Sequence, residues 1–305
     1  MTAEDETTIR QVLERACPEV RVEALRPLDA GYTSDQWIAD TDQGTLLVKV
    51  PLRNRDPEHF RRLVATTRLA AEHGIPVVRY RRLVEHDPAV DGPVLVQEFQ
   101  AGDAAGDVWE SLDEEGRKTL CRDLGDVVGR VHGIKGPTFG DVLGDGATTL
   151  RESVEEEVGS LLGGTAAFGD GAAVRTAITA AVARLDSSAS VPALVHGDLW
   201  LPNFLVRAGR ITCVLDFEHA VHADRFRDFG KLDEHVFDAF PAGRGVFLEA
   251  YATARPVPDD WERRVDVAHV LHALSMHVYF LRWSPEWAPQ YARQVEAWLE
   301  GRTAP

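Results

Sequence analysis

The sequence has few cysteines and no long apolar run, and each shortage excludes a class of protein. Its three cysteines, Cys17, Cys121 and Cys213, are an odd number and form no CxxC pair, which argues against a disulfide framework and a structural zinc site. No apolar stretch approaches the ~20 residues of a membrane span, and the acidic N-terminus does not resemble a signal peptide. We therefore expect a cytoplasmic protein in a reducing compartment that binds no membrane.

Positive charge is also scarce. Thirty-three basic residues stand against forty-nine acidic ones, which gives a net charge of −16, and the field of such a protein repels phosphate backbones. Nucleic acid is therefore not an expected partner. Most of the basic residues are arginines, so a lysine inside an apolar strand is conspicuous; the lysines are Lys49, Lys118, Lys135 and Lys231.

The chain changes character near residue 100. Apolar residues make up 44% of the 305 and charged residues 27%, as in an ordinary folded enzyme with room for two domains. The first part predicts strands at 20–28, 36–40, 45–50 and 94–99 with a helix at 57–73, after a helix at 7–15. The second part predicts helices at 113–133, 149–162, 172–186, 243–253, 259–282 and 287–300, with strands only at 203–206 and 211–215. We expect domains at 1–100 and 101–305.

One polar pattern carries chemistry. Asp198 follows His196 by two residues, Asn203 follows Asp198 by five, and Asp216 ends the next apolar strand. In phosphoryl transfer, one carboxylate orients and deprotonates an attacking hydroxyl, while an amide oxygen and a second carboxylate hold Mg²⁺. Strand caps and turns could account for each residue singly, but not for the joint spacing.

This pattern resembles the H-x-D-x-x-x-x-N loop and the D-F-G-like motif of the protein-kinase-like fold. With Gly197 after the histidine and Glu218 ending the second motif, it is similar to the aminoglycoside phosphotransferase and choline kinase superfamily of small-molecule kinases. The resemblance covers motifs across roughly residues 25–232. It implies an α+β, protein-kinase-like bilobal fold, with a small antiparallel-sheet N-terminal lobe and a mainly helical C-terminal lobe.

The resemblance also implies residue roles. Asp198 would be the catalytic base, and Asn203 and Asp216 the ligands of Mg²⁺. Glu218 either assists the metal or solvates the turn. The supporting residues that the resemblance implies are His196, Glu218 and Asp228.

A kinase of this type must bind ATP or GTP in its N-terminal part. Alternation in the strand at 45–50 places Lys49 on the face of Leu47 and opposite Val48, and the resemblance directs this lysine to the nucleotide phosphates. A loop at 28–35 would cover the phosphates, and the strand ending near Phe99 would offer backbone groups to the base. The nucleotide-binding residues implied in this way are Lys49, Gly31, Thr33, Ser34, Glu98 and Gln100.

One position departs from the family pattern. The helix before Gly74 usually carries a glutamate that pairs with the strand lysine, but this sequence has Leu63 there. Either Glu58 substitutes after a shift of the helix, or Asp216 and the nucleotide alone hold Lys49.

The acceptor must be inferred from the helical part. Carboxylates gather at 152–157 and 233–238, and tryptophans offer faces for cation–π contacts; solvated helix faces are the plain alternative. We expect a small cationic acceptor such as an aminoglycoside antibiotic. The residues expected to contact it are Asp233, Glu234 and Trp200.

Three other functions share much of this evidence. A metabolic kinase for choline, homoserine or a sugar has every catalytic motif, and so does a macrolide kinase. A nucleotide-binding pseudokinase would need to have lost at least one of Lys49, Asp198, Asn203 and Asp216, and all are present. We expect a monomer or a weak dimer.

Overall fold

A computed structural model describes residues 5–29 and 33–303 of the protein. Within the described part of the first hundred residues there are two helices and five strands. In chain order these are α1 (Glu6–Ala16), β1 (Val22–Pro27), β2 (Ser34–Thr41), β3 (Gly44–Pro51), α2 (Pro57–Glu72), β4 (Tyr80–Asp87) and β5 (Gly92–Glu98).

The rest of the chain is mainly helical, with short strands between the helices. In chain order the elements are β6 (Asp103–Ala104), α3 (Ala105–Trp109), α4 (Glu114–Val131), β7 (Phe139–Gly140), β8 (Gly146–Ala147), α5 (Leu150–Gly163), α6 (Ala172–Val182), β9 (Ala193–Val195), β10 (Phe204–Arg207), β11 (Arg210–Val214), β12 (Val221–Ala223), α7 (Phe229–Leu232) with a π-helical continuation (Asp233–Phe237), α8 (Pro241–Ala254), α9 (Trp261–Trp283) and α10 (Ala288–Thr303). No helix in the described ranges is long and apolar enough to cross a membrane. The expected α+β class is confirmed.

The N-terminal strands form an antiparallel sheet in the order β1-β2-β3-β5-β4. Val48 and Val50 of β3 pack into one core with α1, and successive side chains of a strand point to opposite faces. Lys49 therefore lies on the other face, as the alternation predicts. Its register partners are Gln36 on β2 and Leu95 on β5.

The sequence pattern did not indicate β4. Its residues include Arg81, Arg82, Glu85 and Asp87, so apolar alternation is weak. The strand lies at one end of the sheet order, where polar side chains can stay in water and also discourage pairing with another chain. Hydrogen bonding to β5 therefore makes this segment a strand, although its local pattern of apolar residues does not predict one.

The chain divides into two compact units. The first comprises the described residues up to Ala105 together with Phe204–Glu218, and the second comprises Gly106–Asn203 and the described residues from His219 onward. The expected boundary at residue 100 therefore lies a few residues before the boundary at Ala105. The expected division also places the β10–β11 hairpin in the second domain, whereas this hairpin belongs to the first unit. That hairpin joins the first unit because β10 pairs with β6 and the amide of Val214 donates to the carbonyl of Pro76 at 2.7 Å.

Close helix packing organises the second unit. A Cβ on Gly125 of α4 would lie 2.3 Å from the carbonyl oxygen of Phe247 on α8, and one on Gly129 would lie 2.8 Å from the Cβ of Ala254. Only glycine allows these two helices to approach so closely. A separate apolar core joins residues of α5, α6, α9 and α10.

The α4–α8 contact predicts the effect of adding one methyl group. Gly125→Ala should lower the free energy of unfolding by about 1 to 3 kcal/mol, because the helices must move apart. Gly245→Ala is the matched control, since a Cβ there meets nothing within 4 Å and should raise stability by up to about 1 kcal/mol through helix propensity. Denaturant unfolding measures both variants. Equal stability of the two would show that the α4–α8 spacing is not constrained by Gly125.

Candidate active site

The loop after β9 belongs to the second unit and contains the H-G-D motif. Gly197 has a φ of +78°, a left-handed conformation that favours glycine. A Cβ there would lie 2.3 Å from the carbonyl oxygen of His219. His196 is fully buried, and its Nδ1 accepts a hydrogen bond from the amide of Asp198 at 3.3 Å. The sequence therefore shapes a tight turn that presents Asp198.

A buried carboxylate holds this loop. Asp228 accepts hydrogen bonds from the amides of His196 and Gly197, both at 2.8 Å, and from Nε2 of His132 at 3.0 Å. The other ring nitrogen of His132 lies 3.0 Å from the hydroxyl of Tyr251. Burial raises the pKa of Asp228, but the hydrogen bond and charge of His132 outweigh burial and keep the pKa below its ordinary value. An ionised Asp228 thus ties the loop to α4 and α8.

Asp198 contacts an amide and an ammonium group. Asn203 donates from Nδ2 to the Asp198 backbone carbonyl at 2.9 Å and to Oδ2 at 3.0 Å, and Lys231 pairs with Oδ1. Burial raises the pKa of Asp198, but the charge and hydrogen bond of Lys231 lower it more. The carboxylate is therefore ionised and oriented. Because Nδ2 of Asn203 is committed to Asp198, the amide oxygen is the atom left to bind a cation.

Asp216 ends the β10–β11 hairpin in the first unit. Its φ is +63°, an uncommon conformation for a residue with a side chain and one that concentrates at functional sites. Two residues later, Glu218 lies 3.0 Å from Nε2 of His59 on α2. The motif that follows β11 is therefore connected to α2 through an imidazole.

Lys49 lies near the same hairpin, in the first unit. Burial raises the pKa of Cys213 on β11 to about 12, while the charge of Lys49 lowers it, so this thiol is unreactive. Glu58, the alternative partner considered for Lys49, is exposed in the first turn of α2. Leu63 is buried. Among the described residues of the first unit, no carboxylate forms an ion pair with Lys49.

The expected nucleotide-binding segments have the following geometry. Gly31 lies outside the described residues. Thr33 accepts a hydrogen bond at its carbonyl from the amide of Leu52 at 2.8 Å, and Ser34 begins β2. The amide of Glu98 donates a hydrogen bond to the carbonyl of Arg79 at 2.9 Å. The amide of Gln100 donates to no backbone carbonyl within the described part of this unit.

Asp233 and Glu234 each have partners. Asp233 pairs with Nε of Arg244 at 2.8 Å and with Nε2 of His269 at 2.7 Å. Glu234 bonds Nε2 of His272 at 2.6 Å and the hydroxyl of Tyr291 at 2.6 Å. Burial raises the pKa values of both carboxyls, but these hydrogen bonds lower them below their ordinary values.

These carboxylates line a pocket of about 700 Å³ in the second unit, together with Phe237, Asp238 and Arg244. The pocket adjoins the π-helical turn that follows Lys231. Trp200 does not line it; the Trp200 ring instead lies 5.2 Å from Nζ of Lys231 and 5.9 Å from the ring of His235. The structure thus separates Trp200 from the other two expected acceptor residues.

Several residues of the site were not predicted from the sequence. His269 and His272 contact Asp233 and Glu234, which lie 36 and 38 positions away in the sequence. His59 and Lys231 likewise gain their partners only through folding. The one available signal was the rarity of lysine, which marked Lys231 without giving its partner.

Comparison with known proteins establishes the family. The model of the phosphotransferase enzyme family matches residues 24–266, so the chain belongs to that family. No curated protein matches the sequence.

Solved structures agree on the fold. The chain resembles APH(2″)-IIa in complex with gentamicin (18% identity, TM-score 0.71, 97% of each chain) and the aminoglycoside phosphotransferase APH(4)-Ia (15%, 0.71, 98% of this chain and 100% of that one). It also resembles macrolide 2′-phosphotransferase MphH from Brachybacterium faecium (20%, 0.63, 97% and 98%). At these identities the likeness concerns the fold, and it confirms the expected protein-kinase-like class.

Replacing the buried carboxylate tests its hold on the loop. Asp228→Asn should lower the free energy of unfolding by at least about 2 kcal/mol, because an amide cannot accept from three donors as a carboxylate does. The lowered pKa means that ionised Asp228 contributes fully above its ordinary pKa of 3.8 and loses this contribution as pH falls through the folded pKa. Wild-type stability should therefore fall between about pH 5 and pH 2 more steeply than that of the variant.

Urea unfolding over that pH range measures the difference. Asp259→Asn, at an exposed position before α9, is the control and should keep the wild-type pH dependence. Parallel pH curves for wild type and Asp228→Asn would contradict the assigned role of the carboxylate.

Proposed function

We propose that this protein transfers the γ-phosphoryl group of ATP or GTP to a hydroxyl group of a small molecule. The main support is the geometry around Asp198. Its carboxylate is ionised and is oriented by Asn203 and Lys231, in a loop that Asp228 holds. Membership of the phosphotransferase enzyme family supports the same reaction class.

Asp198 acts as the base in this proposal. Its carboxylate accepts the proton of the acceptor hydroxyl as that oxygen attacks the γ-phosphorus. The bond from phosphorus to the β,γ-bridging oxygen breaks, and its electron pair leaves with the nucleoside diphosphate. Positioning of the hydroxyl contributes more to the rate than proton removal does, because the transition state of phosphoryl transfer is loose.

The residues present suit magnesium. Asn203 offers an amide oxygen, because its nitrogen is bound to Asp198, and Asp216 offers a carboxylate from a strained backbone position. Hard oxygen ligands are what magnesium prefers. When bound, the ion neutralises charge on the phosphate oxygens. Glu218, held by His59, supports the Asp216 segment in this proposal, and His196 supports that of Asp198.

Nucleotide binding is assigned to the first unit. Lys49 binds the phosphates, and the loop containing Gly31, Thr33 and Ser34 covers them. The segment of Glu98 and Gln100 binds the nucleotide base in this proposal. The amide of Gln100 supports this assignment, because it donates to no backbone carbonyl in the described part of this unit.

For the acceptor, we propose an aminoglycoside or a related cationic antibiotic, so that phosphorylation would confer resistance. The net charge of −16 and the carboxylates of the 700 Å³ pocket support this class. Among structural neighbours, APH(2″)-IIa is complexed with gentamicin, and an APH(4)-Ia variant is complexed with ADP and hygromycin B.

A neutral acceptor is the second candidate, and a specific observation favours it. Arg244 compensates the charge of Asp233, and His269 adds a further hydrogen bond. The pocket is therefore less acidic than its sequence suggests. A macrolide or a sugar would suit such a pocket, and the macrolide 2′-phosphotransferase noted above is among the structural neighbours.

The reaction itself is tested at Asp198. Asp198→Asn should lower kcat by about 10² to 10⁴, because the amide cannot accept the hydroxyl proton, while ADP binding in the presence of magnesium stays unchanged. Release of ADP is measured with gentamicin, hygromycin B, a macrolide and glucose. Asp259→Asn is the control and should keep wild-type kcat. A kcat for Asp198→Asn above about a tenth of wild type would remove Asp198 from the chemistry.

The charge of the acceptor is tested with salt. Raising ionic strength should increase KM for a cationic acceptor more than KM for ATP, since exposed charge pairs are screened within about 8 to 10 Å at physiological salt. Asp238→Asn removes an exposed carboxylate of the pocket and should reproduce part of this effect at low salt. Highest turnover with the macrolide or glucose, with KM independent of salt, would favour the neutral class.

A further inference from the structure

Lys231 has a place in the site that no sequence motif assigns. Its ammonium pairs with Oδ1 of Asp198, and the two side chains are only 16% and 23% exposed. A largely buried ion pair depends strongly on both partners, because removing one leaves a charge with little solvent around it. The contact is therefore more than a surface salt bridge.

The backbone beneath Lys231 is held in place. A Cβ on its neighbour Gly230 would lie 2.7 Å from the Cβ of His272 and 2.8 Å from the carbonyl oxygen of Ala268. The α7 turn therefore lies directly on α9, and Phe229 is buried beside it. Lys231 extends from a fixed point toward Asp198.

An aromatic face completes the surroundings of the ammonium. The ring of Trp200 lies 5.2 Å from Nζ of Lys231, within the range of a cation–π interaction. Trp200 follows Asp198 by two residues in the loop, so the same loop supplies both the anion and the ring. Trp200 thus contacts the ammonium of Lys231 and is not among the residues that line the 700 Å³ pocket.

The two oxygens of Asp198 have different partners. Lys231 binds Oδ1, and Asn203 donates to Oδ2 at 3.0 Å. Each carboxylate oxygen has a second acceptor site, so an acceptor hydroxyl can still bind. The pair of contacts fixes the rotation of the carboxylate and therefore the direction from which a hydroxyl is received.

We propose that Lys231 is a positioning residue for phosphoryl transfer, holding the Asp198 carboxylate in the orientation that receives the acceptor hydroxyl; this rests on the proposed kinase function. Lys231 takes no part in the proton transfer. The proton of the hydroxyl passes to Asp198, and the electron pair of the broken bond leaves with the nucleoside diphosphate. Loss of Lys231 then slows the chemical step and leaves nucleotide binding intact.

The variants Lys231→Met and Lys231→Arg test the proposal, with Lys118→Met as the matched control. Lys118 is a lysine on α4 that pairs with exposed Glu114 and Glu115. Turnover is measured with magnesium, ATP and whichever of gentamicin, hygromycin B, the macrolide or glucose the wild type phosphorylates. Lys231→Met should lower kcat about 100-fold, the scale of a misplaced catalytic group. The Kd of ADP and KM for the acceptor should stay within about threefold, and Lys231→Arg should recover much of kcat.

A double-mutant cycle separates positioning from a general structural role. In an Asp198→Asn background, Lys231→Met should cost almost nothing further, because coupled residues are not additive. A kcat for Lys231→Met within about threefold of wild type would overturn the proposal. So would a full additional loss in the Asp198→Asn background, or loss of thermal stability without recovery by Lys231→Arg. A wild type that phosphorylates none of the acceptors and binds no nucleotide would instead contradict the proposed function.

Discussion

The carboxylate of Asp228 is the constraint on which the candidate site depends. It accepts hydrogen bonds from two consecutive loop amides and from the imidazole of His132, in a fully buried environment. A loop that is not held in place must lose conformational entropy when it orders around a bound molecule. Asp228 imposes this order during folding, so Asp198 is presented in advance.

The same constraint links the loop to helix packing. His132 closes α4, and its other ring nitrogen meets Tyr251 of α8. The α4–α8 contact is close because Gly125 and Gly129 have no side chains. Helix packing therefore fixes Tyr251, which contacts His132, and His132, which bonds to Asp228. The orientation of Asp198 follows from it.

Local patterns in the sequence predicted much of this structure. The spacing of His196, Asp198, Asn203 and Asp216 is a local property of the chain, and the structure gives Asp198 and Asn203 direct contact. Strand alternation predicted the face of Lys49, and helix periodicity predicted the long helices to within a few residues. The roles of these residues in catalysis stay predictions.

What the sequence could not predict depends on tertiary contact. Lys231 reaches Asp198 across 33 positions, and Asp233 meets Arg244 and His269 from two different helices. No periodicity encodes such partners. The number of acidic residues in a segment also does not give the net charge of the pocket that they line, because Arg244 compensates the charge of Asp233. Local motifs therefore predicted the family, whereas the acceptor stays a prediction.

Amide hydrogen exchange tests most directly whether the loop is held in advance. The amides of His196 and Gly197 lie in a loop, yet both donate to Asp228 at 2.8 Å. Without added nucleotide, they should exchange as slowly as amides in the middle of α4, and much faster in Asp228→Asn, because protection reports the free energy of opening. Equally fast exchange of these two amides in the wild type and in Asp228→Asn would contradict the account.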